Sequence, residues 1–154
     1  MIRRNYVRAL TLLVMITLSG CAIGPNTSYV EELQQPTDAE ALATAMAEFV
    51  SMRLPGAPGV LELDPTPSDQ ASNALTPAFA SALRRCGFTV GSDNQPLSAN
   101  THRIRYLVTS LDNGVLVRLM IDGTTERSRF LARNDGGILQ PCGPFTVTQA
   151  EAMR

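Results

Sequence analysis

Residues 102 to 133 constrain the fold more than any other stretch, because they alternate. Successive side chains of a β-strand point to opposite faces, so an apolar–polar period of two marks a strand with one buried face. From His102 to Leu111, the residues Ile104, Tyr106 and Val108 fall on one face and Arg103, Arg105 and Thr109 on the other. Asp112-Asn113-Gly114 has the chemistry of a hairpin turn. Val115, Val117, Leu119 and Ile121 then alternate with Leu116, Arg118, Met120 and Asp122, and Asp122-Gly123 turns the chain again. Thr125, Arg127, Arg129, Leu131 and Arg133 alternate with Glu126, Ser128, Phe130 and Ala132 as far as Asn134-Asp135-Gly136-Gly137. The expectation is an antiparallel meander with one apolar face and one arginine-dotted face. Arg103, Arg105, Arg118, Arg127 and Arg129 would meet on that outer face, as cross-strand neighbours of acidic groups or as a contact for an acidic partner.

Upstream the period changes. Val60 to Leu63 is a short apolar run between Gly59 and Asp64-Pro65-Thr66-Pro67, which reads as a strand in the sheet centre. Ser68 or Asp69 would cap a helix running to Cys86, with Leu75, Phe79, Ala82, Leu83 and Cys86 on one face. Pro77 either kinks that helix or marks its true start, with Thr76 as cap. Gly87 stops it, and Phe88-Thr89-Val90 follows as a strand. The crossover has the length of a βαβ unit, so its two strands should be parallel. Before it, Thr37-Asp38-Ala39-Glu40 fits a capping box, and Leu42, Ala45, Met46, Phe49 and Val50 form a helical stripe ending near Arg53. That stripe suits a core, or a partner. Ile138 to Val147 carries Pro141 and Pro144 and cannot be a central strand throughout, though Phe145 and Val147 could add an edge strand. Thr148 to Arg154 is a polar end. The fold class is α+β: two helices packed on a mixed, mainly antiparallel sheet, in the order α-β-α-β followed by a β-meander.

The front of the chain is of another kind. Arg3, Arg4 and Arg8 precede an apolar run from Ala9 to Leu18, and Ser19-Gly20-Cys21 closes it. Basic lead, apolar middle and small-residue close are the outline of a secretory signal peptide. The run would span only about 15 Å as a helix, half of a bilayer core of about 30 Å. Leu18-Ser19-Gly20-Cys21 resembles the bacterial lipobox. That resemblance implies cleavage before Cys21, a diacylglycerol on its sulfur and an acyl chain on its new amino group. It implies no other cofactor. Ala22, rather than an aspartate, in the second mature position implies sorting to the outer membrane with the domain facing the periplasm. Residues 1–20 are then signal, 21–36 a lipidated tether that could reach about 50 Å if extended, and 37–154 a single periplasmic domain. Within that domain 37–58 is helix and linker and 59–147 the core.

Composition narrows the function. All 13 basic residues are arginine, and removing the leader leaves 10 of them against 14 acidic residues. That balance argues against nucleic-acid binding and against a polybasic route to the membrane, so the lipid must do the anchoring. With Cys21 modified, Cys86 and Cys142 remain in an oxidising compartment, where thiols tend to pair. A bridge between them would stabilise by roughly 4 kcal/mol in the chain-entropy model. The alternative is two buried, inert thiols. Neither has a Cys or His at metal-ligand spacing, so no metal is expected. His102 starts a strand with no patterned carboxylate or cysteine beside it and reads as a surface or half-buried histidine. No nucleophile elbow or phosphate-cradling glycine loop is present. No catalytic residue and no small-molecule substrate are expected.

The order of the pieces carries a resemblance. A lipobox is followed by a strand ending Asp64-Pro65 and by a helix closing Leu83-Arg84-Arg85-Cys86-Gly87-Phe88-Thr89-Val90. Then come Tyr106-Leu107-Val108, Ser128-Arg129-Phe130 and a close reading Gly143-Pro144-Phe145-Thr146-Val147. Over Gly59 to Val147, plus the signal, the chain resembles the TrbH family of conjugal-transfer lipoproteins. The resemblance implies a component of a type IV secretion apparatus in which a small lipoprotein pins the periplasmic core to the outer membrane. Its partners would be membrane lipid, through Cys21, and the larger core subunits. Two other readings remain: an exclusion factor that blocks redundant mating, and an envelope lipoprotein that binds a small ligand or peptidoglycan. The last predicts an apolar pocket with convergent polar groups.

Overall fold

The computed structural model describes residues 27–55, 59–67, 73–91, 100–123 and 125–147. Its elements, in order, are β1 (Tyr29–Val30), α1 (Asp38–Arg53), β2 (Val60–Leu63), α2 (Leu75–Arg85), β3 (Thr89–Val90), β4 (Thr101–Leu111), β5 (Gly114–Ile121), β6 (Thr125–Arg133), β7 (Leu139–Pro141) and β8 (Thr146–Val147). The fold is α+β, with two helices against one mixed sheet.

The alternating stretch forms the centre of that sheet. β4, β5 and β6 pair antiparallel, with Tyr106 opposite Leu119, Val108 opposite Val117 and Val115 opposite Leu131. Those six side chains are buried, and they join the buried faces of both helices in one core. Gly114 opens β5 because nothing larger fits. A Cβ there would collide with the Leu131 carbonyl oxygen and stand 2.6 Å from the Phe130 ring. At the second hairpin Asp122 and Gly123 both take positive φ, 54° and 67°. Aspartate and glycine tolerate that region, which is the reason this dipeptide turns the chain.

β2 lies between β3 and β4 and runs parallel to both, so α2 is the crossover of a βαβ unit as expected. Leu61 and Leu63 are buried whereas Val60 and Glu62 are half-buried, so β2 has one covered face rather than two. α2 begins at Leu75, without a side-chain cap from Thr76. Asn73 does that work: its Oδ1 accepts the Thr76 N–H at 2.9 Å and the Thr76 hydroxyl at 3.0 Å. Pro77 then sits in the first turn, where its missing N–H would have had no intrahelical partner.

α1 packs along α2. The expected stripe of Leu42, Ala45, Met46, Phe49 and Val50 is buried, and Ala39, Ala43 and Ala47 are buried with it. The small alanines, one turn apart, allow a second face to be covered. The expected capping box does not form, since Thr37 makes no side-chain cap bond. Instead Asp38 Oδ2 accepts the Gln35 N–H at 3.1 Å, and the Asp38 carboxylate turns inward. The two prolines after β6 leave room only for edge pieces. β7 pairs with Leu131–Arg133 and β8 with Arg127–Ser128, both on the outer side of β6.

One expectation about the domain boundary is corrected. Residues 27–36 are not a spacer. Tyr29 and Val30 pair parallel with Leu107 and Val108, taking the place beside β4 that β2 leaves after Asp64. Ser28 is fully buried: its N–H donates to the Pro65 carbonyl at 2.9 Å and its hydroxyl oxygen accepts the Tyr106 N–H at 3.2 Å. Glu31 Oε2 accepts the Ser110 N–H at 2.8 Å, and the Ser110 hydroxyl donates to the Glu32 carbonyl at 3.0 Å. Too few apolar residues gather in this segment to hold it alone. Backbone pairing with a distant strand and one buried serine hold it instead.

Candidate functional site

Both helices cover one face of the sheet, and among the described residues no helix covers the other, so that face is the natural place to look for a contact. Register decides which arginines reach it. Residues opposite one another in an antiparallel pair share a face. Leu107 stands opposite Arg118 and Arg118 opposite Ser128, while Arg105 stands opposite Met120. Arg103, Arg105 and Arg118 therefore lie on the uncovered face. Arg127 stands opposite Leu119 and Arg129 opposite Val117, and both of those partners are buried. Arg127 and Arg129 therefore lie on the covered side, and the single five-arginine face expected from alternation does not exist. The cause is visible in β6, where Leu131 shares a parity with Arg127, Arg129 and Arg133. The buried leucine fixes the parity, and the arginines follow it.

Each set of arginines has its own surroundings. Arg103 Nη2 lies 2.8 Å from Asp64 Oδ1, and that aspartate is buried. Arg118 is exposed, with half-buried Leu107, Leu116, Met120 and Phe130 on the same face. Aromatic residues, methionine and arginine on one patch are the composition that protein interfaces favour. On the covered side, Arg129 donates from Nε to the Gly143 carbonyl at 2.9 Å and stacks 5.2 Å over the Phe145 ring. Phe145 in turn stacks on Phe49 of α1, with centroids 4.3 Å apart. Arg129 thus ties the segment before β8 to the helix layer.

Arg133, at the end of β6, makes the most buried pair. Its Nη1 and Nη2 donate to Asp38 Oδ1 and Oδ2 at 3.0 and 2.8 Å, and Nη1 also donates to the Gly137 carbonyl at 2.6 Å. The side chains are 14% and 1% exposed. The hydrogen bonds to Asp38 push the Arg133 pKa above its ordinary value; burial opposes that rise, and the carboxylate's charge reinforces it. This pair joins the first residue of α1 to the last of β6. Nothing in the local sequence of either end signals it.

The cysteines are corrected too. Cys86 and Cys142 are free and exposed, neither bridged nor buried. Cys86 ends α2 just before β3, at one edge of the sheet, and Cys142 follows β7 at the opposite edge. Five strand spacings separate those edges, about 24 Å, against a Cα separation below about 7 Å for a disulfide. Cys21 and the rest of the lipobox lie outside the described residues. His102 is half-buried but has a carboxylate beside it, with Nδ1 2.8 Å from Asp122 Oδ2. Asp122 Oδ1 also accepts the Arg103 N–H at 2.9 Å, so the pair closes the β4–β5 hairpin at its open end. Among the described residues no group of three or more His, Cys, Asp or Glu could hold a metal ion. No helix among them is long and apolar enough to cross a membrane.

An open groove of about 780 Å³ runs along the outer side of β1, lined by Tyr29, Leu33, Gln35, Pro36, Ala39 and Ala74 among others. Glu31 and Glu32 border it, but the Glu31 carboxylate is already bonded to Ser110. The lining is mixed, without a set of polar groups aimed at one point.

The geometry defines a small α+β domain with a one-sided sheet and edges kept short. The family model described as conjugal transfer protein TrbH matches residues 23–151, and the chain belongs to that family. The match takes in β1 and α1, which the resemblance carried by residues 59–147 had left out. The protein is therefore a component of conjugal transfer. No curated protein and no solved structure matches the chain.

Proposed function

We propose that this protein is an outer-membrane-anchored lipoprotein of a bacterial conjugation (type IV secretion) apparatus, with a structural and assembly role in plasmid transfer. The observation that carries the reading is the family match over residues 23–151, which begins two residues after the cysteine of Leu18-Ser19-Gly20-Cys21. A diacylglycerol and an N-acyl chain on Cys21 supply the anchor. Two or three acyl chains hold firmly where one holds weakly, since each buried CH₂ contributes roughly 0.8 kcal/mol. The domain works mechanically: its uncovered face, with Arg103, Arg105 and Arg118 around Leu107, Leu116, Met120 and Phe130, meets the larger core subunits. No catalytic step is assigned.

The test is a pull-down of the lipidated protein from a mating-competent envelope, beside Cys21→Ser. Recovery of secretion subunits with the wild-type chain, and their loss with the variant, supports the scaffold role. A wild-type chain that brings none overturns it and favours an exclusion factor, which would act without copurifying. The open groove beside β1, with its mixed lining, does not supply the convergent polar groups that a ligand-binding reading calls for.

A further inference from the structure

Resting on Cys21 as the acylated residue, we infer that the β1 edge of the sheet is the side of the domain held at the membrane, and that the β7–β8 edge faces away from it. The partner of the β1 edge is a lipid surface.

The argument is one of reach. A tether of residues 21–36 would let the domain float up to about 50 Å from the bilayer and present any side to it. Ser28 ends that freedom. It is fully buried, its N–H is held by Pro65 and its hydroxyl by the Tyr106 N–H, and β1 follows at once. Between Cys21 and Ser28 there are only seven peptide links. Fully extended they span about 24 Å, and as a coil about 15 Å. The chain leaves the fold at a sheet edge, beside the start of the β2–α2 connection.

Across the sheet from that point lie β4, β5, β6 and β7, four spacings or about 19 Å. For the β7 edge to touch the bilayer, Ser28 would have to stand at least that far above it. The seven links would then be drawn to about four fifths of their full reach, beyond the coil length of about 15 Å, which the chain resists entropically. With the β1 edge down, they stay at their ordinary coil length. The short leash therefore orients the domain as well as holding it. Charge adds no attraction of its own, because the groove along β1 is bordered by Glu31 and Glu32 and has no arginine among the described residues that line it. The acyl chains alone hold this side to lipid. The edge facing away carries β8, the Arg129–Phe145 stack and the exposed Cys142 thiol, and it stays open to a protein partner.

The experiment uses the full lipidated chain in phosphatidylethanolamine–phosphatidylglycerol vesicles with a nitroxide on the lipid headgroups. Cys21, as a thioether, takes no thiol label. One sample carries a fluorophore on native Cys142 with Cys86→Ser. The other carries it on Glu32→Cys with Cys86→Ser and Cys142→Ser; Glu32 is exposed, and its backbone carbonyl rather than its side chain accepts the Ser110 hydroxyl. Headgroup quenching severalfold stronger at position 32 than at Cys142 is the expected result. Inserting twelve Gly/Ser residues between Gly24 and Pro25 lengthens the coil to about 24 Å and should abolish the difference. Equal quenching at the two sites, or stronger quenching at Cys142, on a chain whose mass shows the acyl groups overturns the orientation and leaves the anchor standing. A chain whose mass shows no acyl groups overturns the anchor, and the orientation falls with it.

Discussion

Arg133→Met should unfold this domain far more readily than any surface change. The substitution keeps an unbranched apolar stem, loses the guanidinium, and so removes both charge-assisted hydrogen bonds to Asp38, at 3.0 and 2.8 Å. Asp38 stays 1% exposed, with the Gln35 N–H at 3.1 Å the one hydrogen bond left to its carboxylate among the described residues. Breaking a buried pair by removing one partner costs about 3–5 kcal/mol, a large share of the roughly 5–15 kcal/mol that holds a domain of this kind together. With a urea m-value of about 1.5 kcal/mol/M, the midpoint should fall by about 2–3 M. The Arg133 pKa is raised in the folded state. Its contribution is therefore complete below the unfolded value and lost only as pH rises through the folded one. The midpoint difference between wild type and variant should stay constant from neutral pH into mild alkali. Asp38→Leu combined with Arg133→Met should recover much of the loss, because apolar replacement of a buried pair is often neutral. The deficit left would be about 2 kcal/mol, from the Gln35 N–H that loses its acceptor and the Gly137 carbonyl that loses its donor. Urea titration of the mature chain carrying Cys21→Ser reads all of this. A single-variant loss below about 1 kcal/mol, or a double variant worse than Arg133→Met, would refute the reasoning.

Four further outcomes are expected. Gly114→Ala should cost about 1–3 kcal/mol by overpacking, seen as a lower urea midpoint, because its Cβ would meet the Leu131 carbonyl and the Phe130 ring; an unchanged midpoint would count against the close approach of β5 and β6. Cys86 and Cys142 should both react with a thiol reagent in the native protein, and a mass two hydrogens short would contradict their separation to opposite sheet edges. Arg118→Glu should leave stability within about 0.5 kcal/mol, as surface changes do, yet reduce recovery of transfer subunits. Arg129→Ala should do the reverse, losing about 1–2 kcal/mol with its ring stack and its hydrogen bond to Gly143. Equal partner loss in the two variants would remove the uncovered face as the contact.

What could be read from the sequence was whatever repeats locally. Alternation in β4 and β5, the stripe of α1, and the strand–helix–strand order around Pro77 and Gly87 each depend on neighbours within a few residues. The misses depend on partners far along the chain. Tyr29 and Val30 are too short a run to read as a strand, and they become one only because β2 ends at Leu63 and leaves β4 an open edge. Arg127 and Arg129 alternate as a solvated face would, and Leu131 in the same parity decides against it. Asp38 looked like the second residue of a capping box, but burial against Arg133 claims its carboxylate. Cys86 and Cys142 suited a bridge by number and compartment, and strand order separates them. Of the candidate site, the lipobox was legible as a motif. Which arginines share a face was not, because that is a property of register.

The intact mass of the protein extracted from the envelope of a mating-competent cell is the most direct measurement. A chain cut before Cys21, with a diacylglycerol thioether and an amide-linked acyl group on the new terminus, is the predicted result. A chain that keeps Met1 to Gly20, or one with a bare Cys21 thiol, would contradict it.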